Sequence, residues 1–124
     1  MYRFEKLTVW QKAMDFCVRV YGMTKNFPKA EIFGLTSQLR RASTSIPLNI
    51  AEGSACRTKQ EFIQFLMIAL RSQYEVVTIL KLVCQLGFLR NPEYESLQEQ
   101  VDEIGRLLQA LINSLQLPKV APNN

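Results

Sequence analysis

The stretch "RRASTSIPLNIAEG", residues 40–53, decides the fold. Two arginines open it, three hydroxyl residues follow (Ser43, Thr44, Ser45), and Pro47 sits before a run that reads as helix again. It can be a loop, a serine active site or a helix with a proline inside. Periodicity favours the helix. Leu35, Leu39, Ala42, Ile46 and Asn49 or Ile50 recur at spacings of three and four, and the phase passes through Pro47 unbroken. A helix is therefore predicted from Leu35 to Glu52. Proline brings no amide N–H, so the carbonyl of Ser43, four residues back, loses its donor. The neighbouring hydroxyls are expected to satisfy it. Gly53 is expected to end the helix in the left-handed conformation.

The serine-site reading fails on partners. The chain has no histidine, which removes Ser-His and Cys-His nucleophilic pairs and histidine-based zinc sites together. Neither Ser43 nor Ser45 lies in a G-x-S-x-G or S-x-x-K context. The prediction is of a non-enzyme with no cofactor and no metal.

Working outward, three more segments carry helical period and none reads as strand. The first starts at Thr8, where Thr8 and Gln11 suggest a capping box. It carries two apolar stripes, one of Trp10, Met14, Cys17 and Tyr21, the other of Ala13, Phe16, Val20, Met23 and Phe27, and Pro28 ends it. The third helix is predicted from Thr58, boxed with Glu61, to Leu86, with Gly87 as its stop. It too shows two seams, one through Phe62, Phe65, Ala69, Ser72 and Val76, the other through Ile63, Leu66, Leu70, Val77 and Leu80. The fourth is predicted to open with Asn91 as cap and Pro92 at the first helical position, and to end at Pro118. Four amphipathic helices with short connections predict an all-α, up-down-up-down antiparallel four-helix bundle. One domain is expected over residues 1–117, with a loose tail over 118–124. The doubled seams leave two outcomes open. A wide face packs against two neighbours in one bundle, or part of it lies between subunits.

The 124 residues are 48% hydrophobic and 21% charged, an ordinary globular balance. No apolar run reaches membrane-spanning length, and the N-terminus has no continuous apolar segment of the signal-peptide kind. Cys17, Cys56 and Cys84 are odd in number and widely spaced, which points to a reducing cytoplasm. Net charge is +4, unevenly divided: residues 1–90 carry +7 and residues 91–124 carry −3. A basic body suggests anionic partners.

The segment "FPKAEIFGLTSQLRRASTSIPLNIAEG" (27–53) closely resembles the signature of a family of bacterial four-helix-bundle proteins first noticed in intervening sequences of large-subunit ribosomal RNA genes. "FEKLTVWQKAMDFCVRVY" (4–21), "RTKQEFIQFLMIA" (57–69) and "SQYE" (72–75) resemble its other blocks, so the likeness spans about residues 4–116. Accessory proteins of diversity-generating retroelements look similar. The resemblance implies a second helix continuous through the proline, a barrel-like homopentamer, and binding of nucleic acid or a reverse transcriptase by some members. It implies no enzyme activity. The family usually has Gly before the serine of its third-helix block, where this chain has Arg71 before Ser72. That substitution bears on how closely the helices approach there.

Two groups of residues are singled out. Arg40, Arg41, Arg57 and Lys59 are candidates for contacting RNA or DNA phosphates. The structural alternative has one of the paired arginines solvated and the other paired with Glu52 or Glu75. Asn49, Glu52, Ser72 and Glu75 resemble the family's fixed polar positions and are expected to form a partly buried network that sets helix register. Glu52 and Glu75 as a metal site or an acid–base pair is the minor alternative, and the Glu-x-x-His pattern of bundle metal sites is absent. Trp10 and Tyr94 lie on apolar stripes and are expected in the core. The resulting expectation is a cytoplasmic oligomer that binds nucleic acid or a nucleic-acid enzyme, the alternative being a protein-interaction scaffold.

Overall fold

The computed structural model describes residues 1–118, so most of the tail expected over 118–124 lies outside the described residues. A 3-10 turn, Arg3–Lys6, precedes helix α1, Thr8–Thr24. A second short turn, Lys29–Glu31, leads to α2, Leu35–Ser54, followed by α3, Lys59–Gln85, and α4, Asn91–Gln116. Each helix packs on its sequence neighbours, and α1 also meets α4, which closes the square. The diagonal pairs α1/α3 and α2/α4 make no close backbone approach. This is the antiparallel four-helix bundle that the periodicity predicts.

The core repeats the predicted spacing. Leu97, Val101, Ile104, Leu108 and Ile112 of α4 step by three and four and are wholly or almost wholly buried. They meet Phe16 and Val20 of α1, Leu39, Ile46 and Ile50 of α2, and Leu66, Val76 and Leu80 of α3. Each such aliphatic side chain contributes about 1.5–3 kcal/mol by leaving water. The doubled seam of α3 is consumed inside the bundle, because α3 packs on α2 along one edge and α4 along the other. That of α1 is not: Met14 and Tyr21, on its first stripe, remain well exposed.

Helix α2 runs through Pro47 without a break, and Pro47 is buried. The partner of the freed carbonyl differs from the expectation. The hydroxyls of Ser43 and Thr44 reach back one turn, to the carbonyls of Leu39 (2.8 Å) and Arg40 (3.0 Å). The Ser43 carbonyl instead accepts from the Cys17 thiol of α1, at 3.1 Å. A hydroxyl on the same turn returns to the carbonyl three or four residues before it, whereas Cys17 faces the gap from the adjacent helix.

Gly53 also departs from its expected role. It lies inside α2, and Gly87 is the glycine with positive φ. A Cβ on Gly53 would stand 2.7 Å from Phe65 Cβ and 2.8 Å from Phe62 Cδ1, so the glycine is there for close approach of α2 to α3. Gly87, at φ 80, does end α3: its N–H donates to the carbonyl of Cys84 and that of Phe88 to the carbonyl of Val83, the paired bonds of a Schellman stop.

The two predicted capping boxes part ways. At Thr58 the box forms: Thr58 Oγ1 accepts from the Glu61 amide (3.1 Å) and donates to the Glu61 carboxylate (2.9 Å). At Thr8 it does not. The preceding 3-10 turn makes Leu7 the cap, and the Gln11 side chain donates to the Glu5 carbonyl instead. Likewise Arg90 caps α4, one residue before the expected Asn91. Thr58→Ala should therefore cost about 1 kcal/mol in chemical denaturation, while Thr8→Ala should change stability by less than about 0.5 kcal/mol. Equal losses would contradict the difference between the two caps.

Candidate nucleic-acid interface

The antiparallel topology sorts the four candidate cations into two places. Arg57 and Lys59 flank the α2–α3 turn, both exposed. Arg40 and Arg41 lie in the second turn of α2, roughly 20 Å away at 1.5 Å per residue. The structure does not bring the four together.

Arg40 is half-buried and occupied. Its Nε donates to Thr24 Oγ1 at 2.9 Å, and its guanidinium lies 4.7 Å from the centroid of the Tyr21 ring. This corrects the expectation of an acidic partner: Arg40 faces α1, where a hydroxyl and an aromatic face receive it. Arg41 is exposed, and neither Glu52 nor Glu75 comes within ion-pair distance of it.

The fold adds two cations that spacing alone does not connect with Arg57 and Lys59. The 3-10 turn Arg3–Lys6 packs against both α1 and α2 at the end of the bundle that holds the α2–α3 turn. Arg3 and Lys6 are exposed there. Two nearby carboxylates are already engaged, Glu5 accepting from the Tyr2 amide and Glu61 from the Thr58 hydroxyl. The ion pair among the described residues lies elsewhere: Lys12 with Glu103, 2.7 Å, across the α1–α4 seam. The Lys12 ammonium holds the Glu103 carboxyl below its ordinary range through a direct hydrogen bond and charge attraction. The neighbouring Arg19 guanidinium donates to the neutral Gln100 amide oxygen across the same seam, and the four cations of the α2–α3 end are left to solvent.

The expected polar network forms in part. Ser72 meets Ser45 across the α2–α3 seam, hydroxyl to hydroxyl at 2.8 Å. The Asn49 amide donates to the Ser45 carbonyl (2.8 Å) and hydroxyl (3.0 Å). Ser45 is thus the link between Asn49 and Ser72. Glu52 and Glu75 are exposed and take no part in these bonds. Arg71 points to solvent, so a side chain in place of the family's usual glycine does not obstruct the seam.

A second buried polar group, Gln73, lies on the opposite edge of α3. It is 5% exposed and donates through Nε2 to the Val101 carbonyl at 2.9 Å. Gly105 makes room for it, since a Cβ there would stand 2.7 Å from that nitrogen. Trp10 and Tyr94 pack against the core as expected, although Trp10 also lines a surface groove. Among the described residues, no three Cys, Asp or Glu side chains are grouped to hold a metal ion. No described helix is long and apolar enough to cross a membrane.

These features define a small all-helical bundle with exposed cations at both ends, an acidic fourth helix and polar contacts across the α2–α3 and α3–α4 seams. The chain belongs to the 23S rRNA-intervening sequence protein family, whose model matches residues 5–110. Its fold is similar to that of a protein with unknown function from the S23 ribosomal protein family of Bacteroides thetaiotaomicron VPI-5482. That chain is 30% identical, with a TM-score of 0.79, over 85% of this chain and 95% of that one. No curated protein matches the sequence.

Proposed function

We propose that this protein is a non-enzymatic, cytoplasmic, ring-forming bundle that binds nucleic acid through the basic end built from Arg57 and Lys59. The observation that carries the reading is the charge placement. Arg3, Lys6, Arg57 and Lys59 are exposed and without ion pairs among the described residues at the α2–α3 end, as Lys25, Lys29, Arg41 and Arg90 are at the other, while Glu103 of α4 engages Lys12. The family's association with ribosomal RNA intervening sequences supports RNA as the first ligand to test, with DNA second. A single +4 chain attracts phosphate weakly. Five copies of a +4 chain, the ring size the family resemblance implies, would carry +20 and repeat the basic end around the ring. Repetition makes later contacts intramolecular and multiplies weak ones.

The test is binding of mixed-sequence single-stranded RNA at low and moderate salt. Each phosphate contact contributes about 0.7–0.9 to the slope of log affinity against log salt. Charge reversal of Arg57 and Lys59 should weaken binding across all sequences and reduce that slope by about 1.4 to 1.8, with helicity unchanged. Arg40→Ala, which loses contacts to Thr24 and Tyr21, should alter stability more than RNA affinity. No RNA or DNA binding at low salt, or an unchanged double variant, would leave a protein-interaction scaffold, with a partner such as a reverse transcriptase, as the function.

A further inference from the structure

The surface carries an apolar hole and an apolar knob that cannot meet within one chain. The hole is an open groove of about 470 Å³ between α1 and α2. Phe4, Trp10, Met14, Val18, Pro47 and Leu48 form most of its lining. Val18 is 72% exposed and Leu48 58%, so the groove is uncovered. Its position follows from the spare apolar stripe of α1 and from Pro47, whose ring faces it.

The knob is Phe33, 94% exposed in the α1–α2 connection. With Ile32 beside it, 47% exposed, it makes a contiguous apolar patch rimmed by polar residues, the kind of surface that marks an interaction site. The connection that carries it is pinned. Glu31 donates from its amide to the Pro28 carbonyl (2.9 Å), accepts from Gly34 at its own carbonyl (2.9 Å), and accepts from the Leu35 amide at its carboxylate (3.1 Å). Phe33 is therefore presented on a preorganised loop, which lowers the entropy lost when it is buried. Leu48 lies thirteen residues along α2 from Leu35, roughly 20 Å at the helical rise. A pinned loop at the head of α2 does not fold back that far.

We propose that Phe33 of one copy enters the α1–α2 groove of a second copy of this chain. The carboxylates at the groove suit that occupant. Exposed Lys25 and Lys29 flank the knob; at the groove, exposed Asp15 and Glu52 lie one helical step outside Val18 and Leu48, and exposed Arg3 and Lys6 flank Phe4. None of these six is ion-paired among the described residues. Burying one phenylalanine covers about 150–250 Å², well short of the 1,200–2,000 Å² of a stable interface. Phe33 is thus the anchor of a larger contact, with Ile32, Met14, Val18 and Leu48 around it. Knob and groove are different patches, so the contact is head-to-tail, and such contacts close into rings or run on as filaments. The inference rests on the self-association reading above and supplies its interface.

Light scattering at micromolar concentration tests it. Wild-type protein should be oligomeric. Phe33→Ala and Leu48→Glu, both at exposed positions, should each weaken self-association by about tenfold or more with unchanged circular dichroism. Each variant retains the half that the other lacks. Mixed near the limit of solubility, they should form a dimer with one intact knob-to-groove contact and no larger ring. A monomeric wild type would sink both the ring and this interface. An oligomeric wild type with Phe33→Ala equally oligomeric would overturn this interface alone, as would two dissociated variants that fail to pair on mixing.

Discussion

Gly53→Ala should lower the stability of this bundle by about 2 kcal/mol, the reverse of what the same change does in most helices. Alanine ordinarily gains about 1 kcal/mol over glycine inside a helix. Here the added methyl would stand 2.7 Å from Phe65 Cβ and 2.8 Å from Phe62 Cδ1. Phe65 Cβ is tied directly to the backbone of α3, so relief requires α2 and α3 to separate. A contact this short with a backbone-tied atom belongs at the upper end of the usual overpacking cost, about 3 kcal/mol, which leaves a net loss of about 2 kcal/mol after the propensity gain. The loss should appear as a fall in Tm of roughly 6–10 °C. Gly105→Ala is the comparison: its methyl meets only the amide of Gln73, the far end of a side chain that can move. It should cost less. A stabilised Gly53→Ala would mean that the helices are not in close contact at this level.

The second large effect concerns the thiol beneath Pro47. Cys17→Val keeps the volume and removes the donor to the Ser43 carbonyl, and leaving a buried acceptor unpaired costs about 1–3 kcal/mol. Cys17→Ser, which retains a donor, should cost less. The diagnostic measurement is a double-mutant cycle with Pro47→Ala. Alanine restores the main-chain N–H that normally serves the Ser43 carbonyl, so Cys17→Val should cost about 1–2 kcal/mol less in that background. Additive effects would show that thiol and proline are energetically independent. Burial pushes the Cys17 thiol up to about 11 from 9.0. Folding thus tightens its hold on the proton. Its contribution is complete below pH 9 and is lost as the pH climbs toward 11. The stability gap between wild type and Cys17→Val should narrow over that window.

The fold was legible because its information is periodic. A proline interrupts one hydrogen bond but does not shift the phase of Leu39, Ile46 and Ile50, so continuity of α2 could be read through it. Glycine is harder. Gly53 and Gly87 look alike as helix stops, yet one is selected by a neighbour's bulk and the other by its own φ. A neighbour's bulk is a property of two segments, and one segment's pattern does not contain it. The same limit explains Thr8 and Thr58. Both open a T-x-x-Q/E pattern, and only the geometry of the preceding turn separates them.

The candidate site was legible in its residue types and less so in its partners. Asn49 and Ser72 stand out in sequence, whereas Ser45, which joins them, was hidden among three consecutive hydroxyls. Arg57 and Lys59 were visible as a charged turn. Arg3 and Lys6 join them only because the chain returns to the same end of the bundle after two helices. Arg40 has partners that its local sequence does not announce, since Tyr21 and Thr24 are neither acidic nor near in sequence.

The square arrangement of the helices, with no diagonal approach, also governs how the molecule assembles in time. Three of its four seams join helices consecutive in the chain and need only short turns to close. Such local contacts recover the entropy of ordering early, which favours folding in microseconds to milliseconds. The α1–α4 seam is different, because closing it fixes the two ends of the chain against each other across everything between. It carries the Lys12–Glu103 pair and the Arg19–Gln100 contact. Charge at this seam therefore acts on the step that turns a row of hairpins into a closed bundle, and the same seam is the natural place for that bundle to begin to open.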